Sequence, residues 1–258
     1  MRGMSGPTFL LLQARHGDDP MRGQEHRAFA DKLSVEEEAI VCWDLLKGPP
    51  ALPVVQEYDI LLMGGSGDFL VSQRDLPQFS ALLELLTAVT ESAHPLFASC
   101  FGFQCLVEAL GGEIVYDPES TEVGTHELTL MEAATRDPLL GPLPAHFPAQ
   151  MGRKDRARRL PDGAVHLAAS ELCPYQAFRV EDKPVWATQF HPELSGDENR
   201  ERYLRYLSNY EGYLGEDARE EVLSQFQPSI ETAELLPRFV ELVLNAGSLP
   251  AGTGSTPA

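Results

Sequence analysis

Cys100, His191 and Glu193 are the residues whose types and settings could do chemistry. Cys100 stands in "PLFASCFGFQCLVEALGG" (95–112), where an apolar run of strand length passes directly into helical spacing. A cysteine at such a junction can occupy a tight elbow that exposes its sulfur, and the first turn of the helix stabilises a thiolate there. Gln104, four residues on, shares the Cys100 face of the helix at about 40°, whereas Cys105, at about 140°, turns away toward packing. In "WATQFHPELSG", His191 precedes a proline and is pushed to an extended conformation, so residues 191 and 193 project to one side. Held this way, Glu193 fixes the imidazole tautomer, while His191 accepts the thiol proton and returns one to a leaving amine. The third piece is "MGGSGD" (63–68): Gly64 and Gly65 allow a sharp turn that presents an amide to a developing oxyanion, and the amide of Phe101 supplies a second donor. Each signal alone has an ordinary reading, as a core thiol, a surface His-Pro-Glu turn or a Gly-Gly turn. Their coincidence in one chain is what favours a cysteine nucleophile.

Such residues need a frame. "TFLLLQ" (8–13) reads as a strand, "EHRAFADKL" as a helix, and "SVEEEAIVCWDLL" as a turn leading into a strand. Ile60–Met63 reads as a buried strand ending abruptly in glycines, and residues 76–92 carry leucines at helical spacing. Strand "PLFAS" and helix "FGFQCLVEAL" follow, the helix stopped by Gly111 and Gly112. This alternation predicts an α/β fold: a doubly wound, mostly parallel sheet flanked by helices, in which ligands sit beyond the carboxyl ends of the strands. Residues 113–190 are strand-rich, with "EIVYD", "HELTLM", "AVHLAAS", "YQAFRV" and "PVWATQF" as strands. A charged helical tract follows the His-Pro-Glu segment. "EDAREEVLSQFQPSIETAELLPRFVELVLNAG" reads as two helices divided near Pro228, and "SLPAGTGSTPA" has the composition of a disordered tail. The expected organisation is a domain over 1–213, a C-terminal helical extension over 214–246 and a tail over 247–258. The apolar positions of the extension either cover the core of the same domain or form an oligomer contact, so homo-oligomerisation stays open.

The 258 residues carry a net charge of -19, which argues against a nucleic acid as partner. Cys42, Cys100, Cys105 and Cys173 are scattered without a CxxC, suggesting neither a disulfide scaffold nor a zinc site. No segment reads as a signal peptide or approaches about 18 apolar residues, so a soluble, cytoplasmic protein is expected, with no membrane as partner. "GGSGDF" lacks the GK[ST] ending of a phosphate loop and the spacing of a dinucleotide fingerprint.

Together the motifs resemble the class I glutamine amidotransferases of the triad type, found as the glutaminase domain of GMP synthase. The family elbow G-x-C-x-G-x-Q appears as "ASCFGFQ", the His-Pro-Glu as "QFHPE", and the oxyanion loop, usually Gly-Gly-Pro, as "GGSGD". The resemblance covers roughly residues 8 to 210. It implies Cys100 as nucleophile, His191 as general base and acid, Glu193 as its orienter, and the amides of Gly65 and Phe101 as the oxyanion hole. It also implies Gln104, Gly124, Thr125 and His126 as substrate-binding residues, with no organic cofactor and no metal. The implied reaction is attack on the side-chain amide of glutamine, release of ammonia to an acceptor synthetase, and hydrolysis of a γ-glutamyl thioester. A γ-glutamyl peptidase using the same residues, and a regulatory subunit that is partner-gated or non-catalytic, are the alternatives. Three departures stand out. Ala98 replaces the glycine that opens the elbow, Ser66 replaces the proline of the oxyanion loop, and Arg153 stands where the family commonly has a histidine near the mouth of the site. Arg153, Lys154, Arg156, Arg158 and Arg159 read either as a solvated loop or as a dock for an acidic partner or a carboxylate-bearing substrate.

Overall fold

The computed structural model describes residues 6–210 and 218–245. Strands β1 (Phe9–Gln13), β3 (Ile60–Met63), β4 (Leu96–Ser99) and β11 (Val185–Thr188) are buried along their whole length. Near-continuous apolar runs of this kind belong in a parallel sheet covered on both faces. They lie in one nine-stranded sheet of order β2-β1-β3-β4-β11-β10-β9-β6-β7, where β2 is Ile40–Asp44, β6 Glu122–Leu130, β7 His146–Arg153, β9 Ala164–Ala169 and β10 Ala177–Val180. Pairings from β2 through β11 are parallel, and those from β11 through β7 are antiparallel. A small second sheet pairs β5 (Glu113–Tyr116) with β8 (Asp155–Arg159).

Side chains alternate across the sheet and divide the core in two. Leu10 and Leu12 of β1, with Leu61 and Met63 of β3, face a cluster built with α3 (Phe79–Glu91) and α4 (Phe101–Ala109). Phe9, Leu11, Ile60, Leu62 and Phe97 face the opposite cluster, with Phe29 and Ala30 of α1 (Met21–Leu33). Leu235, Leu236 and Phe239 of the last described helix join that second cluster without exposed surface, and the Phe239 ring meets Phe97 and Trp186 edge-on. Its apolar stripe therefore packs within the chain.

Two readings need correction. The stretch that carries Arg153, Lys154, Arg156, Arg158 and Arg159 is not a solvated loop: it runs from the end of β7 through β8, with Arg153 buried in an ion pair to Glu122. Pro148 interrupts the strand signal, but β7 ends the sheet, where a missing N–H is tolerated. The described residues of the C-terminal segment form three helices, α6 (Ala218–Ser224), α7 (Ile230–Ala233) and α8 (Leu235–Asn245), rather than two. Further α-helices among the described residues are α2 (Leu52–Val55) and α5 (Gly196–Arg205). The expected tail, 247–258, and the boundary at 213/214 lie outside the described residues.

Because Phe239 fills a fully enclosed place, Phe239→Ala should lower unfolding free energy by about 3–5 kcal/mol. Ile230→Ser, at a side chain 73% exposed, should change it by less than about 0.5 kcal/mol. Urea denaturation of both variants checks the contrast; equal small effects would place α8 off the core.

Candidate active site

In parallel sheets the carboxyl ends of neighbouring strands converge on one edge, and here β3, β4 and β11 are neighbours. The residues that follow them are Gly64 and Gly65, Cys100, and the segment leading to His191. Cys100 sits between β4 and α4 with φ +51° and ψ -102°, a conformation that costs a non-glycine residue about 1–3 kcal/mol. Its N–H donates to Thr188 O at 2.8 Å, and the Gly102 N–H donates to Gly64 O at 3.1 Å, so the elbow is tied to both neighbouring strand ends. A Cβ on Gly102 would lie 2.8 Å from Met63 O, which accounts for that glycine. Gly65, Cys100, Phe101, Gln104 and His191 line one cleft. A Cβ on Gly65 would reach within 3.0 Å of His191 Cε1, so the turn and the imidazole are in close packing.

His191 is anchored by its N–H to Gln150 O at 2.9 Å, and its Nδ1 meets Glu193 Oε1 at 2.5 Å. Arg202, from α5, lies 3.5 Å behind the same carboxylate oxygen. Burial alone would push the imidazole toward its neutral form. The Glu193 carboxylate and the Cys100 sulfur outweigh it and hold the His191 pKa above its ordinary value. Burial likewise opposes the Glu193 charge, yet His191 and Arg202 keep its pKa below the usual carboxylate range. With Nδ1 engaged, His191 Nε2 is left for the cleft, the arrangement that serves a thiol base. Cys105, by contrast, is fully enclosed, and burial pushes its thiol well up.

Not every expected residue meets in the cleft. Gln104 lines it, its side-chain amide donating to Asp155 O at 3.0 Å and Gln189 Oε1 at 3.1 Å. Gly124, Thr125 and His126 lie elsewhere on β6. Thr125 donates its N–H to Gln225 O and exchanges hydrogen bonds with Gln227, and His126 Nε2 contacts Val123 O; Val123 is the β6 residue that lines the cleft. Residues that sequence reasoning passed over are Arg15, Asn199, Arg202 and Tyr206, all of which line it. Asn199 and Arg202 stand three apart on α5, one face of a helix, which was a legible signal once the capping box Ser195–Glu198 had fixed its start.

Residues 50–207 match the family model "Glutamine amidotransferase class-I". The chain is 31% identical over 140 residues to a GMP synthase (glutamine-hydrolyzing) subunit from Methanococcus aeolicus, covering 54% of this chain and 72% of that protein. It is 33% identical over 127 residues to the GMP synthase (glutamine-hydrolyzing) of Thermosipho africanus, a match that takes in 48% of this chain but 24% of that protein. Among solved structures, a glutamine amidotransferase from Methylobacillus flagellatus superimposes with a TM-score of 0.67 at 21% identity, covering 98% of this chain and 99% of that one. A second, from Thermotoga maritima, gives 0.66 at 17% identity, with 94% and 98% covered.

Two outcomes test the geometry. Iodoacetamide applied to the folded protein should alkylate Cys100 ahead of Cys105 and Cys173 on peptide mapping; the reverse order would overturn the elbow. In an imidazole NMR titration, Glu193→Gln should lower the His191 midpoint by roughly one to three pH units, because burial then acts unopposed by that carboxylate. An unchanged midpoint would mean that Glu193 is not what holds the proton on the ring.

Proposed function

The chain belongs to the class-I glutamine amidotransferases, and on that premise we propose that it hydrolyses the γ-carboxamide of glutamine with Cys100 as nucleophile. The observation that carries this reading is the strained Cys100 elbow opening on the same cleft as the buried His191–Glu193 pair. His191 takes the thiol proton, and the sulfur attacks the amide carbon. The carbonyl oxygen becomes an oxyanion received by the N–H groups of Gly65 and Phe101, preorganised donors that strengthen as charge develops. His191 then gives its proton to the nitrogen, the C–N bond breaks, and ammonia leaves behind a γ-glutamyl thioester. Water, deprotonated by His191, attacks the thioester carbon; glutamate departs and the thiol is restored. Glu193 keeps the imidazole in one tautomer and stabilises its cationic form throughout.

We assign this chemistry to residues 1–213, with the helices within 214–246 closing the core beneath it. The Methanococcus aeolicus relative is named as one subunit of a GMP synthase, which supports a separate ammonia-accepting synthetase as partner. Among the described residues no helix is long and apolar enough to cross a membrane, and a cytoplasmic place suits this role.

The purified protein should release glutamate from glutamine, and Cys100→Ala should lose at least about 10⁴-fold in kcat. A γ-glutamyl dipeptide assayed beside glutamine separates amidase from peptidase. Equal glutamate release by wild type and Cys100→Ala would refute the nucleophile, and none by either would turn the reading toward a protein gated by its partner.

A further inference from the structure

The proton transfers assigned to His191 give Arg202 no task, yet its guanidinium is built against the base. Arg202 is 6% exposed, and α5 carries it from the capped end at Ser195 to the far side of Glu193. Its Nε donates to Gln24 Oε1 at 2.7 Å, which fixes the planar group, and Nη1 stands 3.5 Å from Glu193 Oε1. That same oxygen meets His191 Nδ1 at 2.5 Å. Among the described residues, Nη1 and Nη2 of Arg202 and Oε2 of Glu193 are buried without a hydrogen-bond partner. The guanidinium is therefore held beside the carboxylate as a charge and does not form a bidentate bond with it.

A charge in that place matters because His191 changes charge during turnover and a guanidinium does not. While the imidazole is a cation, Glu193 has its counter-charge at Nδ1. Once the Nε2–H bond breaks and a new N–H bond forms on the departing amide nitrogen, the imidazole is neutral. Glu193 with no other cation against it would then be a lone buried carboxylate, a costly state. That cost would show as an imidazolium reluctant to release its proton. Other charged and titratable groups surround the pair. Cys100, on the elbow, acts on the imidazole, while Arg15 on the loop after β1, Glu25 on α1 and Tyr206 just past α5 act on the guanidinium. The cleft wall adds Lys154, Asp155, Tyr203, Tyr210 and Arg153, the last already paired with Glu122. Arg15 is itself paired with Glu25 at 3.1 Å and Asp19 at 3.8 Å, which leaves Arg202 as the standing cation for Glu193.

We propose that Arg202 is a positioning residue for the base: it balances the Glu193 charge while the imidazole is neutral, and so lets His191 give its proton to the leaving nitrogen. Arg202 acts through Glu193 and makes no bond to a reacting atom. The inference rests on the hydrolase reading above and names what tempers its general acid. Glu193 alone would bind the imidazolium too firmly, and a second cation on the same oxygen divides that attraction.

The test begins in the full-length Cys100→Ala protein, where the imidazole titrates without a thiol beside it. By NMR, adding Arg202→Met should raise the His191 midpoint by about one pH unit, roughly a tenfold change in proton affinity, and Arg202→Lys should return it to within about half a unit. An unmoved midpoint would overturn the proposal. So would a lowered one, because Glu193 would then have come away from the ring and Arg202 would serve only to pack. If the methionine variant does not fold, the Glu193 carboxyl carbon is followed with the arginine in place. It should keep the shift of an ionised carboxylate on both sides of the imidazole midpoint, and an acid-form shift below that midpoint would overturn the proposal as well. In the enzyme with its thiol, single-turnover hydrolysis of the γ-glutamyl thioester should show its acid limb moved up by the same amount in Arg202→Met, since only the imidazole titrates once the sulfur is acylated. An equal loss at every pH would show a structural role alone. A wild-type protein that hydrolyses no amide, with the midpoint rising as stated, would bring down the hydrolase reading and not the charge assignment. An active enzyme with an unmoved midpoint would do the reverse.

Discussion

Glu193 carries a carboxylate with no exposed surface, and the neighbourhood is organised around that charge. A buried ion is costly unless it is paired, and breaking a buried pair costs about 3–5 kcal/mol in general. Glu193 has His191 on one side and Arg202 on the other. Arg202 is itself buried, so it leans on Gln24 through Nε at 2.7 Å and on Glu25 at 4.0 Å. Glu25 in turn holds Arg15 at 3.1 Å, and Arg15 donates to Tyr206, whose hydroxyl donates to Asp19. The charges alternate through the interior from the imidazole to the loop after β1. Orientation of a single histidine thus depends on residues almost two hundred positions apart in the chain.

The parallel half of the sheet brings Gly65, Cys100 and His191 together, and the antiparallel half with the C-terminal segment holds them there. Gln150 of β7 joins the two roles. Its carbonyl receives the His191 N–H, while its side chain binds Gln227, Ser229, Thr125 and Asn199. Thr125, expected at the substrate, instead fastens the segment that leads from α6 to α7. Helix α6 then packs Val222 on Val123 and Tyr203, two residues of the cleft wall. Residues beyond the family-matched stretch are therefore part of what shapes the cleft.

Local signals carried the parallel half. Continuous apolar runs at Phe9, Ile60 and Leu96 declared the strands, and the glycine or cysteine that directly follows the second and third marked the edge where a site belongs. The His191–Glu193 contact was legible for the same reason: proline after His191 restricts the chain and places residues 191 and 193 together. What was not legible depends on distant partners. β7 is interrupted by Pro148 and β8 is mostly charged, and they exist because β6 and β5 pair with them. Arg153 reads as surface charge until Glu122, thirty-one residues earlier, closes on it inside the protein. Arg15 and Arg202 belong to the same kind of pairing, invisible to composition because a buried arginine differs from an exposed one only in what surrounds it.

The turn from Gly64 to Asp68 shows how tertiary contact can stand in for local stiffness. Ser66 occupies the place where the related loop has proline, so the backbone lacks a ring to fix its dihedral. Its hydroxyl donates to Phe69 O at 2.7 Å and closes the turn from within, and Arg15 Nη1 donates to its carbonyl at 3.4 Å. Gly67, at φ +82°, lies against the Tyr206 ring so closely that a Cβ would fall 2.4 Å from it, and Asn209 donates to Gly67 O and to Asp68 Oδ1. Every outside contact named here comes from Arg15 or from the stretch 206–209, the same residues that end the buried charge chain or adjoin it. Loop order and imidazole orientation are therefore not independent. A disturbance of Arg15 or Tyr206 reaches the Gly64–Gly65 turn through Ser66 and Gly67, and reaches His191 through Glu25, Arg202 and Glu193. The glycine turn and the imidazole, on two sides of the cleft, are set by one buried network.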